Sequence, residues 1–89
     1  MKQAKIKVRG RVQGVFFRSH ARENAQALGL TGYAENLPNG EVEILVQGEE
    51  DNIKKFLDWC KAGPPSSDVR EVEYAWEEPT QKHEGFETY

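Results

Sequence analysis

Residues 5–28, KIKVRGRVQGVFFRSHARENAQAL, change period partway along, and that change decides the fold. Ile6, Val8, Gly10 and Val12 share one side of an extended chain, and Lys5, Lys7, Arg9 and Arg11 share the other. A period of two marks a half-buried strand. From Ser19 onward the apolar positions Ala21, Ala25 and Leu28 fall at i, i+4 and i+7, an amphipathic helix that Gly29 can stop. The Ser19 hydroxyl stands where it could cap that helix. Between the two lies Gln13-Gly14-Val15-Phe16-Phe17-Arg18, which is more apolar than a connection needs to be.

The same reading extends along the rest of the chain. Residues 32–36 and 41–47 flank Leu37-Pro38-Asn39-Gly40, in which Asn39-Gly40 predicts a tight hairpin with both residues at positive φ. Val42, Ile44 and Val46 face one way; Glu41 and Glu43 face the other, where they would meet the basic side of the first strand if the two pair. Glu49 to Asp51 are acidic, as suits the positive end of a helix, and Ile53, Phe56, Leu57 and Cys60 then form an i, i+3, i+4, i+7 stripe. Gly63-Pro64-Pro65 ends that helix. Residues 69–76 read as the last long strand, with Val72, Tyr74 and Trp76 on a common face. Residues 77–85 read as a polar loop, and 86–89 as a short edge strand. The order β-α-β-β-α-β predicts a ferredoxin-like α/β (α+β) sandwich: an antiparallel sheet with both helices on one face, in a single domain over residues 1–89.

Composition narrows the function classes. With 30% charged and 37% apolar residues, 89 residues can build a small soluble domain with a thin core. A net charge of −3 and a pI near 5.4 argue against a partner held through nucleic-acid phosphates. No apolar run approaches the roughly 18 residues that a membrane-spanning helix needs. The basic N-terminus MKQAKIKVRGRV lacks an apolar leader core, and the single cysteine, Cys60, cannot form an internal disulfide. These features favour a cytoplasmic setting. Two histidines and scattered carboxylates show no metal-ligand spacing.

Fold class alone assigns no activity, so the 13–18 connection has to carry it. A glycine-containing loop opening a helix can aim free backbone N–H groups at one point, and the first turn adds more. Such a concavity suits a tetrahedral oxyanion, and Arg18 offers a planar fork to grip two of its oxygens. Phe16 or Phe17 packed inward would hold the loop rigid. A simple turn with a solvated arginine fits the local pattern equally well. Neither GxxxxGK[ST] nor GxGxxG is present, so the expected ligand is one small phosphate group and no nucleotide.

Residues 10–18, GRVQGVFFR, match each fixed position of the acylphosphatase signature G-x-V-Q-G-V-x-F-R. Gly32-Tyr-Ala-Glu-Asn36, followed by Gly40-Glu-Val42 and Gly48, resembles that family's second signature. The resemblance covers essentially the whole chain. It implies a hydrolase of carboxyl-phosphate mixed anhydrides that needs no metal or other cofactor and forms no phosphoenzyme. By that match Arg18 binds the phosphate, Asn36 orients the attacking water, and the backbone of Gln13, Gly14, Val15, Phe16, Phe17 and Arg18 forms the cradle. It also implies an acyl phosphate substrate, with inorganic phosphate as product and competing ligand. No nucleic acid or membrane partner is expected, and the chain would act as a monomer. Glu35 departs from the pattern, but in a strand it should face away from Asn36. The alternative is a non-catalytic phosphate-binding module on the same sandwich. An RNA-binding module of this topology would need aromatics where the first strand has KIKVRGRV.

Overall fold

Alternation in the first strand extends further than its apolar core suggests. In the computed structural model, which describes residues 1–89, β1 spans Lys2–Arg11, and Ala4, Ile6, Val8 and Val12 are buried on one side. It is followed by α1 (Phe17–Ala27), β2 (Thr31–Asn36), β3 (Val42–Gly48), α2 (Glu50–Ala62), β4 (Asp68–Glu77) and β5 (Phe86–Thr88). The sheet order is β4-β1-β3-β2-β5. The first four strands pair antiparallel, as the sequence predicts. β5 lies parallel to β2 at the edge, so the sheet is mixed.

Register sorts the two faces. Ala4 opposes Val46, Ile6 opposes Ile44 and Val8 opposes Val42, so these side chains share the face that both helices cover. Ala21 and Ala25 of α1 join them, as do all four residues of the α2 stripe. Each large apolar side chain buried this way stabilises the fold by about 1.5–3 kcal/mol before entropy is counted. Cys60 belongs to this core as a free thiol, and burial pushes its pKa up, so it stays protonated. On the open face Lys7 stands between Glu43 and Glu73. Beside it the Arg9 guanidinium donates to Glu71 at 2.8 Å, and to Glu73 and Glu41.

Three expectations are corrected in detail. α1 begins at Phe17, two residues before Ser19; its N-cap is Phe16, in the left-handed region at φ 61°, and no side chain caps the helix. Tertiary burial of Phe17 overrides the local preference for a serine cap. In the β2–β3 turn only Gly40 takes a positive φ, 93°. Pro38 and Asn39 form the turn, closed by Gly40 N donating to Leu37 O at 3.1 Å. Tyr74 and Trp76 do lie opposite Ile6 and Ala4 on the helix-covered face, yet they remain 49% and 42% exposed. They sit on an edge strand and pack edge-to-face against each other at 6.3 Å.

Residues 78–85 must travel from β4 at one edge to β5 at the other, and they do so across the open face. Gln47, 1% exposed, receives them: its Oε1 accepts from His83 N at 2.9 Å, and its Nε2 donates to Gln81 O at 2.5 Å. The same Nε2 donates to Gln3 Oε1 at 2.7 Å. The His83 ring lies 6.0 Å from that of Tyr33. No helix is long and apolar enough to cross a membrane.

Candidate active site

β1, β2 and β5 all run toward the same end of the sheet, and α1 begins there. That end carries the 13–18 connection. Gly14 adopts φ 73°, which a Cβ would strain, and the chain then turns through left-handed Phe16 into the helix. Phe17, 1% exposed, drives into the core with its ring 5.3 Å from Trp59, so the inward anchor is Phe17, while Phe16 is 76% exposed. Two further ties fix the loop from the sides. Ser66 Oγ donates to Val15 O at 3.0 Å. Gln13 Nε2 donates to Leu37 O and to Glu41 O, each at 2.8 Å.

Because the loop is held by side chains and by its own carbonyls, its N–H groups are left over. None of the backbone N–H groups from Gln13 to Ser19 donates to a backbone carbonyl. Beside them is a cavity of about 240 Å³, walled by Val12, Gly14, Phe16, Phe17, Arg18, Ser19 and Thr88. Arg18 Nη1 donates to the main-chain oxygen of Tyr89, which orients the guanidinium across the end of β5. Tyr89 N in turn donates to Ala34 O at 2.9 Å, and its ring lies 5.9 Å from Tyr33.

Of the residues expected from sequence, Gly14, Phe16, Phe17 and Arg18 lie on the cavity wall, whereas Gln13, Val15 and Asn36 do not. Asn36 is nevertheless at the same end. It opposes inward-facing Val42, and it follows Ala34, the register partner of the wall residue Thr88, by two positions. At a rise of about 3.3 Å per residue, that is roughly 7 Å along the strand. Its Oδ1 is buried without a hydrogen-bond donor. Glu35 opposes Glu43 on the open face, away from Asn36, as expected for its neighbour in a strand. Thr88 is a wall residue that sequence reasoning missed. Its position follows from β5 pairing parallel to β2, and a three-residue strand gives no local signal of its partner.

The turn after Asn36 has its own support. Asn39 Nδ2 donates to Glu41 Oε1 at 2.9 Å, and Glu41 N donates to Asn39 Oδ1 at 3.0 Å. Asn39 first, and Arg9 second, hold the Glu41 carboxyl below its usual range, so it is ionised at neutral pH. Its three carboxylate partners, Glu71 foremost, keep Arg9 firmly protonated. No group of three or more His, Cys, Asp or Glu side chains is gathered anywhere for a metal ion.

A β-α-β-β-α-β sandwich with a loop of free amides and an arginine at a helix start defines a small α/β protein with the donor set that a tetrahedral anion calls for. The sequence profile of the acylphosphatase family matches residues 4–88. The chain is 48% identical over 80 residues to an acylphosphatase of Dehalococcoides mccartyi, covering 89% of this chain and 88% of that one. It is also 48% identical over 86 residues to an acylphosphatase of Aeropyrum pernix, covering 96% and 85%. The crystal structure of acylphosphatase from Bacillus subtilis superposes with a TM-score of 0.96 at 35% identity, over 100% of this chain and 99% of that one. The chain belongs to the acylphosphatase family.

Proposed function

We propose that this chain hydrolyses acyl phosphates to carboxylate and inorganic phosphate, by in-line attack of a water that Asn36 orients on a phosphate held by Arg18 and the 13–18 backbone. The observation that carries the reading is the unbroken run of N–H groups from Gln13 to Ser19 without carbonyl acceptors, next to the Arg18 guanidinium.

The chemistry asks for little beyond that. Water oxygen forms a bond to phosphorus while the bond from phosphorus to the acyl oxygen breaks. The leaving group departs as a carboxylate, a weak base, so no general acid is required. In a loose transition state the charge spreads over the three equatorial oxygens, where amides and a guanidinium can meet it. Each such donor is worth roughly 10²–10³ in rate when removed. Asn36 is too weak a base to take a proton. Its side-chain amide can accept a hydrogen bond from the attacking water and so aim that water's oxygen. Oδ1 has no donor in the fold and is enclosed, so the side chain must turn toward the cavity to meet the water. The spare proton passes to the product phosphate or to solvent. We also read the chain as a cytoplasmic monomer, in keeping with a single thiol buried in the core.

The test is turnover of benzoyl phosphate in the presence of EDTA. Wild-type protein should hydrolyse it, with inorganic phosphate competing. Arg18→Ala should lower kcat/KM by at least about 10³. Asn36→Ala should lower kcat by about 10² or more while phosphate still inhibits at a similar concentration. Wild-type turnover by Asn36→Ala would remove that residue from the mechanism. Phosphate binding without hydrolysis in the wild type would leave only the non-catalytic module.

A further inference from the structure

We propose that the ring of Phe16 contacts the acyl group of the substrate and makes the enzyme favour aromatic and extended apolar acyl phosphates over acetyl phosphate. The proposal rests on the hydrolytic reading above and names the part of the substrate that the phosphate cradle leaves unread.

Phe16 is 76% exposed, more than any other large apolar side chain, although the next residue in the chain is a phenylalanine buried to 1%. Nothing in the fold calls for its ring. The core is anchored by Phe17, the loop is tied by Gln13 and Ser66, and a cradle of amides uses the N–H of residue 16 whatever its side chain. Its backbone speaks against phenylalanine as well. At φ 61° and ψ 22° it is the only non-glycine residue with positive φ, a conformation in which a Cβ crowds the following carbonyl. Glycine or asparagine would sit there with less strain. A large apolar ring in a strained, solvent-facing position is free to make a contact outside the folded chain.

The cavity supplies the contact. Phe16 is on its wall together with Arg18. Its volume of about 240 Å³ equals several waters at about 30 Å³ each, more room than one phosphate fills. With phosphorus held at Arg18 and the attacking water opposite the leaving group, the acyl portion occupies the remaining space toward the mouth. Apart from Arg18, Ser19 and Thr88, that wall is Gly14, the nearly buried Val12 and Phe17, and Phe16, whose side chain is the one large apolar group exposed there. An aryl group stacked on a phenylalanine gains up to about tenfold in binding beyond its area burial. An acetyl methyl is too small to reach that contact.

The experiment compares kcat/KM for benzoyl and acetyl phosphate in the wild type, Phe16→Ala and Phe16→Leu, with thermal unfolding of each variant as the check on folding. In Phe16→Ala the benzoyl-to-acetyl ratio should fall about tenfold. In Phe16→Leu, which keeps apolar surface without a ring face, it should fall by an intermediate factor. Both substrates declining by one common factor, with the ratio unchanged, would overturn the proposal and leave the hydrolytic reading standing. A wild type that turns over neither substrate would overturn both.

Discussion

Gln13 and Gln47 each fasten a connection to the sheet through a side-chain amide, at opposite ends of β1 and β3, and the two fastenings differ in what they leave behind when cut. Gln13 donates to Leu37 O and Glu41 O. Leu37 O also accepts from Gly40 N at 3.1 Å, and Glu41 O accepts from Leu37 N at 2.8 Å. Both carbonyls thus keep a donor without Gln13. Gln47, itself 1% exposed, is the partner of His83 N, Gln81 O and the buried Gln3 Oε1; the first two lie in part-buried surroundings and have no other protein partner. A buried polar group left unpaired costs more than its hydrogen bond contributes. The first tie therefore tunes geometry at the site, and the second holds the fold.

The largest effect should come from the apolar anchor that makes the Gln13 region stiff in the first place. Phe17→Ala removes a ring 1% exposed and packed on Trp59, and should cost about 3–5 kcal/mol in urea unfolding. A loss under about 1 kcal/mol would mean that the loop is not held from beneath. Next come the two glutamines as a pair. Gln47→Leu should lose about 1–3 kcal/mol and raise hydrogen exchange at the His83 amide, with kcat within about twofold of wild type. β5 keeps its own bonds to β2, from Gly32 N to Gly85 O and from Tyr89 N to Ala34 O, each at 2.9 Å. Gln13→Leu should show the reverse, a stability loss of about 1 kcal/mol or less and a kcat lower by about tenfold. Equal stability losses, or a larger kcat loss for Gln47→Leu, would erase the distinction.

The smallest effect concerns acid. Glu41 titrates in the fold below its ordinary value of 4.5, so its contribution to stability is complete above that value and fades as the pH falls through its lowered one. Glu41→Gln should therefore lower stability by a constant amount between pH 6 and 8 and flatten the acid limb of the unfolding curve below about pH 5. An unchanged acid limb would show that Asn39 and Arg9 do not hold the 37–41 turn through this carboxylate.

Much of this was legible in the sequence where a single period governs a segment. The alternation of β1, the stripe of α2 and the predicted pairing of basic and acidic strand faces appear as read, because each depends on spacing within one element or on one antiparallel register. The start of α1 departs from its sequence pattern because the buried Phe17 is its first residue, reached through a left-handed residue that no local rule favours. The 78–85 strap was invisible for another reason. Its anchor Gln47 looks like a surface residue in the alternation of β3, and its partners in the strap come from a segment more than thirty residues away. At the site, the loop with Arg18 could be read from its glycine and its position at a helix start. Asn36 came only through the family resemblance, and Thr88 from neither.

Arg18 reaches across 71 positions of chain to the Tyr89 main-chain oxygen, and the cavity beside it takes its wall from Val12, Gly14, residues 16–19 and Thr88. A fragment ending after β3 would hold both signature stretches and still lack a finished pocket. Turnover regained on dilution from denaturant should accordingly be a late clock, keeping time with the closing of the most distant contacts and trailing the first appearance of helix.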